Sequence, residues 1–325
     1  MNTAISEDRI FTLNSDDQFN RLALKMYAFQ KTHCAVYRDF IRLLGRPEPK
    51  DYTEIPFLPI SFFKDQEIIT EGLVPELTFL SSGTSGMQRS QHLVARSALY
   101  VRSFMETYRQ QIGHPEDQVI LALLPSYIEQ GQSSLIYMVD RLIKESKSEH
   151  SGFLLNSMDD VVFRYEQALL QGKKTILFGV SYALLDLADK GVNLSKAVII
   201  ETGGMKGRRK EMTKEELHAL LKKSLKVETV LSEYGMTELL SQAYCDQQRN
   251  FRTPPWMKVL VRDINDPLGW AKHGKTGGLN VIDLANMYSC SFIATQDLGK
   301  SDNDSFQVLG RYDQSDVRGC NMLVE

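Results

Sequence analysis

The sequence has few cysteines, no long apolar run and almost no net charge, and each shortage excludes a class of protein. Its four cysteines, Cys34, Cys245, Cys290 and Cys320, are scattered through 325 residues without a Cys-x-x-Cys pair. That spacing supports neither a thiolate zinc site nor a disulfide framework, and points to a reducing compartment. No apolar stretch approaches the roughly 18 residues that a membrane-crossing helix needs, so no membrane span is expected. Met1 to Arg9 shows no basic segment followed by an apolar one, so no signal peptide is read there. The formal net charge is −3, which leaves no global attraction to nucleic acid or an anionic membrane. Internal repeats and low-complexity tracts are also lacking. What remains is a cytoplasmic protein of ordinary globular composition, 42% hydrophobic and 24% charged.

The chain is organised around a loop, Ser81-Ser82-Gly83-Thr84-Ser85-Gly86, which follows a short apolar strand from Leu77 to Leu80. Four hydroxyl residues and two glycines in six positions suit a loop that holds phosphate oxygens. The same composition also makes a plain surface turn. No Gly-Lys-Ser or Gly-Lys-Thr closes the loop, which excludes a Walker A motif.

Around this loop the chain alternates strands and helices. Asp16 to Leu44 reads as one long helix, because Phe19, Leu22, Met26, Phe29, His33, Tyr37, Phe40 and Leu44 share a face. Gly45-Arg46-Pro47 ends it. His33 and Cys34 are read as packing residues, and the proline-bearing Ile55 to Lys64 as an extended segment lying on a sheet. An amphipathic helix from about Ala95 to Gln111 is expected after the loop, the strand–loop–helix arrangement by which α/β proteins present amides to phosphate. Strands are expected at 118–124, 175–180, 197–200 and 227–231, with helices at 182–189 and 213–225 between them. Thr213 and Glu216 form a capping box for the last helix. This pattern predicts a mainly parallel sheet flanked by helices. Shorter strands at 257–261, 278–283, 290–295 and 305–310 predict a smaller, mostly antiparallel region. The expected division is a helical segment at 1–50, an α/β core at 51–255 and a β-rich part at 256–325.

Two of the parallel strands end in polar, glycine-bearing turns. Glu201-Thr202-Gly203-Gly204 offers a flat backbone surface for an aromatic ring, and Tyr234 offers a ring to stack on its other side. In Ser232-Glu233-Tyr234-Gly235-Met236-Thr237-Glu238, Glu238 supplies a carboxylate for Mg2+ and Thr237 a hydroxyl for phosphate. Tyr234 serves equally as a half-buried packing residue, and Glu238 as a first-turn helix carboxylate. Asp297, in Thr295-Gln296-Asp297-Leu298-Gly299, is placed either to bind ribose hydroxyls or to shape a turn.

Taken together these stretches resemble the adenylate-forming superfamily of acyl- and aryl-CoA ligases. Ser81 to Gly86 is similar to its phosphate loop, Ser232 to Glu238 to its adenine and magnesium motif, Thr295 to Gly299 to its ribose motif, and Gly310-Arg311-Tyr312-Asp313 to its hinge motif. All four occur in the family's order. Within the superfamily the chain resembles the acyl-protein synthetases of the bacterial luciferase system, with phenylacetate-CoA ligase-like proteins as relatives. The features behind that likeness are Leu124 to Tyr127 leading to Gly131-Gln132-Ser133-Ser134-Leu135, the Glu201 to Gly204 turn and the Arg318-Gly319-Cys320 ending.

The resemblance implies the large N-terminal-type domain of these enzymes, with ATP and Mg2+ used to turn a carboxylic, in this family fatty, acid into an acyl-adenylate. The acyl group would pass to Cys320 and onward to an acyl-CoA reductase or another acceptor protein. Ser82, Thr84, Ser85 and Gly86 would hold phosphates, Thr237 and Glu238 would serve the reacting α-phosphate and the metal, and Tyr234, Gly235, Gly203 and Gly204 would receive adenine. Asp297 with Arg311 would fix the ribose, and the acyl chain would lie near Tyr127 to Tyr137. Two departures stand out: the loop's usual lysine is replaced by Gln88-Arg89, and no C-terminal lid with its lysine follows Asp313. An aryl- or acyl-CoA ligase, and a nucleotide-binding subunit without catalysis, stand as the alternatives.

Overall fold

The computed structural model describes residues 5–82, 88–125, 131–203, 209, 212–302 and 305–312. They fall into two compact units, one within Met1–Pro75 and Arg252–Glu325 and the other within Glu76–Phe251. The chain begins with α1 (Glu7–Ile10), α2 (Asp16–His33), α3 (Ala35–Leu44), β1 (Leu58–Pro59) and α4 (Phe62–Asp65). The second unit carries β2 (Leu77–Leu80), β3 (Gln91–Val94), α5 (Ser97–Gln111), β4 (Gln118–Leu123), α6 (Ser134–Ser146) and β5 (Gly152–Phe153). It continues with α7 (Asp160–Leu170), β6 (Lys174–Val180), α8 (Ser181–Asp189), β7 (Val198–Thr202), α9 (Lys214–Leu225), β8 (Thr229–Tyr234) and β9 (Ala243–Cys245). The short β10 (Phe251–Arg252) leads back to the first unit and to β11 (Met257–Arg262), β12 (Gly277–Asp283), β13 (Phe292–Asp302) and β14 (Ser305–Arg311).

The expected α/β architecture is present. In the second unit the strands run in the order β9-β8-β7-β6-β4-β5, parallel from β8 to β5, with β9 antiparallel on β8. Every residue of β4 is buried, as its unbroken apolar run requires of a strand covered on both faces. On one face Tyr108 of α5 stacks on Phe178 of β6, 6.3 Å between ring centroids. On the other, α8 and α9 lie over β7 and β8, and Thr213 with Glu216 forms the capping box that starts α9. In the first unit β11, β12, β13 and β14 form an antiparallel meander, and β1 pairs in parallel with β13, Leu58 opposite Ile293.

Three local expectations are corrected. The helix expected over 16–44 is two helices, because Cys34 is extended (φ −108°, ψ 108°). Its own N–H closes α2 on the Gln30 carbonyl, and its carbonyl opens α3 by accepting from Arg38, both at 2.9 Å. The carbonyls freed by the break find other donors: Arg38 Nη1 reaches Thr32 O at 3.0 Å, and Glu71 N reaches His33 O at 2.7 Å. The bend therefore leaves neither of these two carbonyls without a donor. Next, a strand intervenes between the Ser/Gly loop and the following helix. Leu77 to Leu80 pairs antiparallel with Gln91 to Val94, so a strand stands between the loop and the expected helix, which is present at Ser97–Gln111. Finally, no helix follows Tyr234: a turn closed by Leu239 N on Met236 O, 3.1 Å, leads into β9, which removes the first-turn alternative for Glu238.

Candidate active site

In the second unit the hairpin is pinned at its neck. Ser81 N donates to Ser90 O and Ser90 N to Ser81 Oγ, both at 2.9 Å, and Leu80 N reaches Gln132 O at 2.8 Å. Arg89, standing where the resemblance expects a loop lysine, donates its Nε to the Ser81 carbonyl. Ser82, within the loop, is exposed. Thr84, Ser85 and Gly86 lie outside the described residues, as do Gly204 and Cys320.

The two polar turns stand side by side, because Glu201 at the end of β7 is in register with Ser232 of β8. Residues at the C-terminal ends of adjacent parallel strands line the crevice where open α/β sheets bind ligands. Gly203 takes φ +74°, a left-handed conformation that glycine adopts without steric cost, and a Cβ there would meet nothing within 4 Å. That side of the turn is therefore open among the described residues. Tyr234 is 8% exposed, its ring edge against Phe251 at 5.8 Å. Glu238 is buried at 5% exposure, with Thr237 half-buried beside it. Among the described residues no group of three metal-ligating side chains gathers. One carboxylate still suits Mg2+, which takes most of its ligands from water and substrate phosphates.

Sequence reasoning missed the network beneath these turns. Glu201 is fully buried and accepts hydrogen bonds from Ser181 Oγ at 2.6 Å and Ser232 Oγ at 3.0 Å, with Lys214 paired to the same carboxylate. Ser181 also lies 3.0 Å from the Gly203 carbonyl, and His218 Nε2 3.0 Å from Ser232 Oγ. Burial lowers the His218 pKa, so its neutral form is favoured. The one local signal was an acidic residue closing the apolar run Val198 to Ile200. Glu233 points to the opposite face, where burial, reinforced by the Glu201 charge and opposed by Lys214, pushes its carboxyl up to about 8. Its Oε1 occupies the space a Cβ on Gly235 would need, 2.3 Å away, so a side chain there would have to displace the Glu233 carboxyl. His92 was also missed. It is fully buried on β3, with Nδ1 2.7 Å from the Thr237 carbonyl.

In the first unit Asp297 and Arg311 are direct cross-strand partners on β13 and β14, with Nε 3.8 Å from Oδ1. Asp297 N donates to Thr295 Oγ1 at 3.0 Å, and Tyr312 N to Gln296 O at 2.7 Å. Arg262 lies below, donating to the Leu279 and Thr295 carbonyls and to Asn280 Oδ1 at 2.6–3.0 Å. Burial lowers its pKa, while Tyr312 and Asp297 act in the opposite direction. A groove of about 350 Å³ in the same unit, where Lys258 bridges Asp16 and the rings of Phe19 and Tyr52, contains none of the expected site residues.

Solved structures share this fold. A 2-hydroxyisobutyryl-CoA ligase in complex with 2-HIB-AMP and CoA superposes with a TM-score of 0.68 at 12% identity, over 92% of this chain and 70% of that one. ATP-bound MatB from Rhodopseudomonas palustris gives 0.55 at 17% identity, over 72% of this chain and 47% of that one. An ATP-bound RpMatB-BxBclM chimera gives 0.57 at 17%, over 75% and 49%. The chain thus spans about half the length of the MatB structures it matches. No curated protein matches the sequence. The family described as acyl-protein synthetase, LuxE, matches residues 4–325. With nearly its whole length matched, the chain belongs to the LuxE acyl-protein synthetase family.

Proposed function

We propose that this protein activates a carboxylic acid, with fatty acids as the expected class, by adenylation. The acid's carboxylate attacks the α-phosphorus of ATP, the bond to the bridging oxygen of the β-phosphate breaks, and pyrophosphate leaves. A thiolate then attacks the acyl carbon, and AMP departs as the thioester forms. The observation that carries this reading is the gathering, within one unit, of the loop-bearing hairpin, the Gly203 turn and the Thr237–Glu238 turn at the C-terminal ends of parallel strands. Such chemistry needs charge neutralisation and positioning more than acid–base catalysis.

In this reading Ser82, Thr84, Ser85 and Gly86 hold the β- and γ-phosphates, and Thr237 contacts the α-phosphate. Tyr234, Gly235, Gly203 and Gly204 receive the adenine, and Asp297 with Arg311 holds the ribose. Glu238 would hold Mg2+, which when bound neutralises phosphate charge. Cys320 is the proposed acyl carrier, handing the group to an acyl-CoA reductase or another acceptor protein. Burial raises the pKa of Cys34, Cys245 and Cys290, which suits none of them to nucleophilic work.

Pyrophosphate release with ATP, Mg2+ and a panel of fatty and aryl acids, with intact-protein mass read in parallel, tests the proposal. Acid-dependent release with an acyl adduct lost in Cys320→Ala is the expected result. Release without an adduct would move the transfer to an external thiol such as CoA.

A further inference from the structure

We infer that His92 is a positioning residue for adenylation, holding the Thr237–Glu238 turn at a fixed distance from the hairpin that carries the Ser/Gly loop. The inference rests on the adenylation reading above. His92 belongs to β3, the return strand of that hairpin, directly opposite Phe79 of β2. Phe79 in turn packs edge-on against Tyr100 at 5.4 Å and Tyr137 at 5.6 Å, so the strand has little freedom to shift. The imidazole is fully buried, and its Nδ1 lies 2.7 Å from the Thr237 carbonyl oxygen. A carbonyl oxygen only accepts, so Nδ1 carries the proton and donates.

The turn that receives this bond is held at two further points. Leu239 N on Met236 O closes it at 3.1 Å, and Ser241 Oγ meets Ser103 Oγ of α5 at 2.9 Å at its far end. Between those points the His92 bond grips the peptide that joins Thr237 to Glu238. One side of that peptide bears the hydroxyl assigned to the α-phosphate, the other the carboxylate assigned to the metal. A part-buried hydrogen bond spanning 145 residues thereby links two segments that, in the proposed reading, grip opposite ends of one triphosphate. Loss of the bond lets them drift, and a drift of about 1 Å at a reacting centre costs on the order of 100-fold in rate.

The test uses acid-dependent ATP–pyrophosphate exchange in the full-length protein and in His92→Asn, His92→Gln and His92→Leu, with thermal melting of each. The Asn amide nitrogen falls where Nδ1 stands; the Gln amide nitrogen falls a carbon further out. The expected result is a fall in exchange kcat of roughly 100-fold for His92→Leu and His92→Gln, with KM for ATP moving only a few-fold. His92→Asn should stay within about tenfold of the parent, even where its melting temperature drops as far as that of His92→Gln. Exchange that tracks melting temperature alone, with Asn no better than Gln, overturns the positioning role. Nitrogen-15 NMR of the unaltered protein is independent of any variant: an Nδ1–H ring supports the inference, and an Nε2–H neutral tautomer overturns it. Absence of exchange in the parent with every acid overturns the adenylation reading itself, and this inference with it. Normal parental exchange alongside an unimpaired His92→Leu overturns the inference alone.

Discussion

The residues singled out in the two units are held by different physics. In the second unit the turn glycine and the Ser232 motif stand on buried polar side chains: Glu201 is fully enclosed and ties α8, β8 and α9 together through Ser181, Ser232 and Lys214. In the first unit Asp297 and Arg311 meet because the β13–β14 ladder places them opposite each other, and Arg311 keeps 67% of its side-chain exposure. One group is positioned by a side-chain network, the other by backbone register. A network fails as a whole when one member is removed, whereas a ladder tolerates the loss of a side chain.

The sharpest break in that contrast is Glu201→Ala. It removes one partner from each of the Ser181 and Ser232 hydroxyls and leaves a cavity in the interior, and should cost about 2–4 kcal/mol, read as a lowered urea midpoint. Next comes Gly235→Ala, whose new methyl meets the Glu233 carboxyl. A loss of no more than about 1 kcal/mol is expected, since the flexible carboxyl can shift, and the double variant with Glu233→Ala should recover part of it.

Glu233 also gives the second unit a pH dependence. Its folded value of about 8 lies above the ordinary 4.5, so between those values the folded chain keeps a proton that the unfolded chain has lost. The associated stability is complete below pH 4.5 and is lost as pH rises through 8. Melting of Glu233→Gln should therefore decline less across that window than melting of the parent. The smallest effect belongs to the first unit. Asp297→Ala should change stability by less than about 0.5 kcal/mol while raising KM for ATP roughly tenfold. A loss of several kcal/mol there would erase the contrast.

The same distinction decides what the sequence reveals. Strands such as Gln118 to Leu123 announce themselves because burial on both faces demands continuous apolar residues, and Asp297 sits in a local sequence pattern. Ser181, Glu201, His218 and Ser232 are dispersed along the chain and share no local pattern; only the register of β6, β7 and β8 brings them together. The break at Cys34 was hidden because both helices keep their apolar faces, and the donors that stabilise it, Arg38 and Glu71, lie outside the helical repeat. β3 was hidden by brevity: Gln91 to Val94 is four residues, too few for alternation to register. Its consequence for the proposed function is large, since Ser81 and Ser90, on either side of the loop's glycines, are held by paired strands and not by a helix start.

The most direct test of acid activation is pyrophosphate release by the unaltered protein and by Glu238→Ala, with ATP, Mg2+ and a long-chain fatty acid, each against a no-acid control. Release that depends on the acid, and disappears in Glu238→Ala while the variant melts like its parent, is the predicted result. Release that Glu238→Ala leaves intact, or no release with any carboxylic acid, would contradict it.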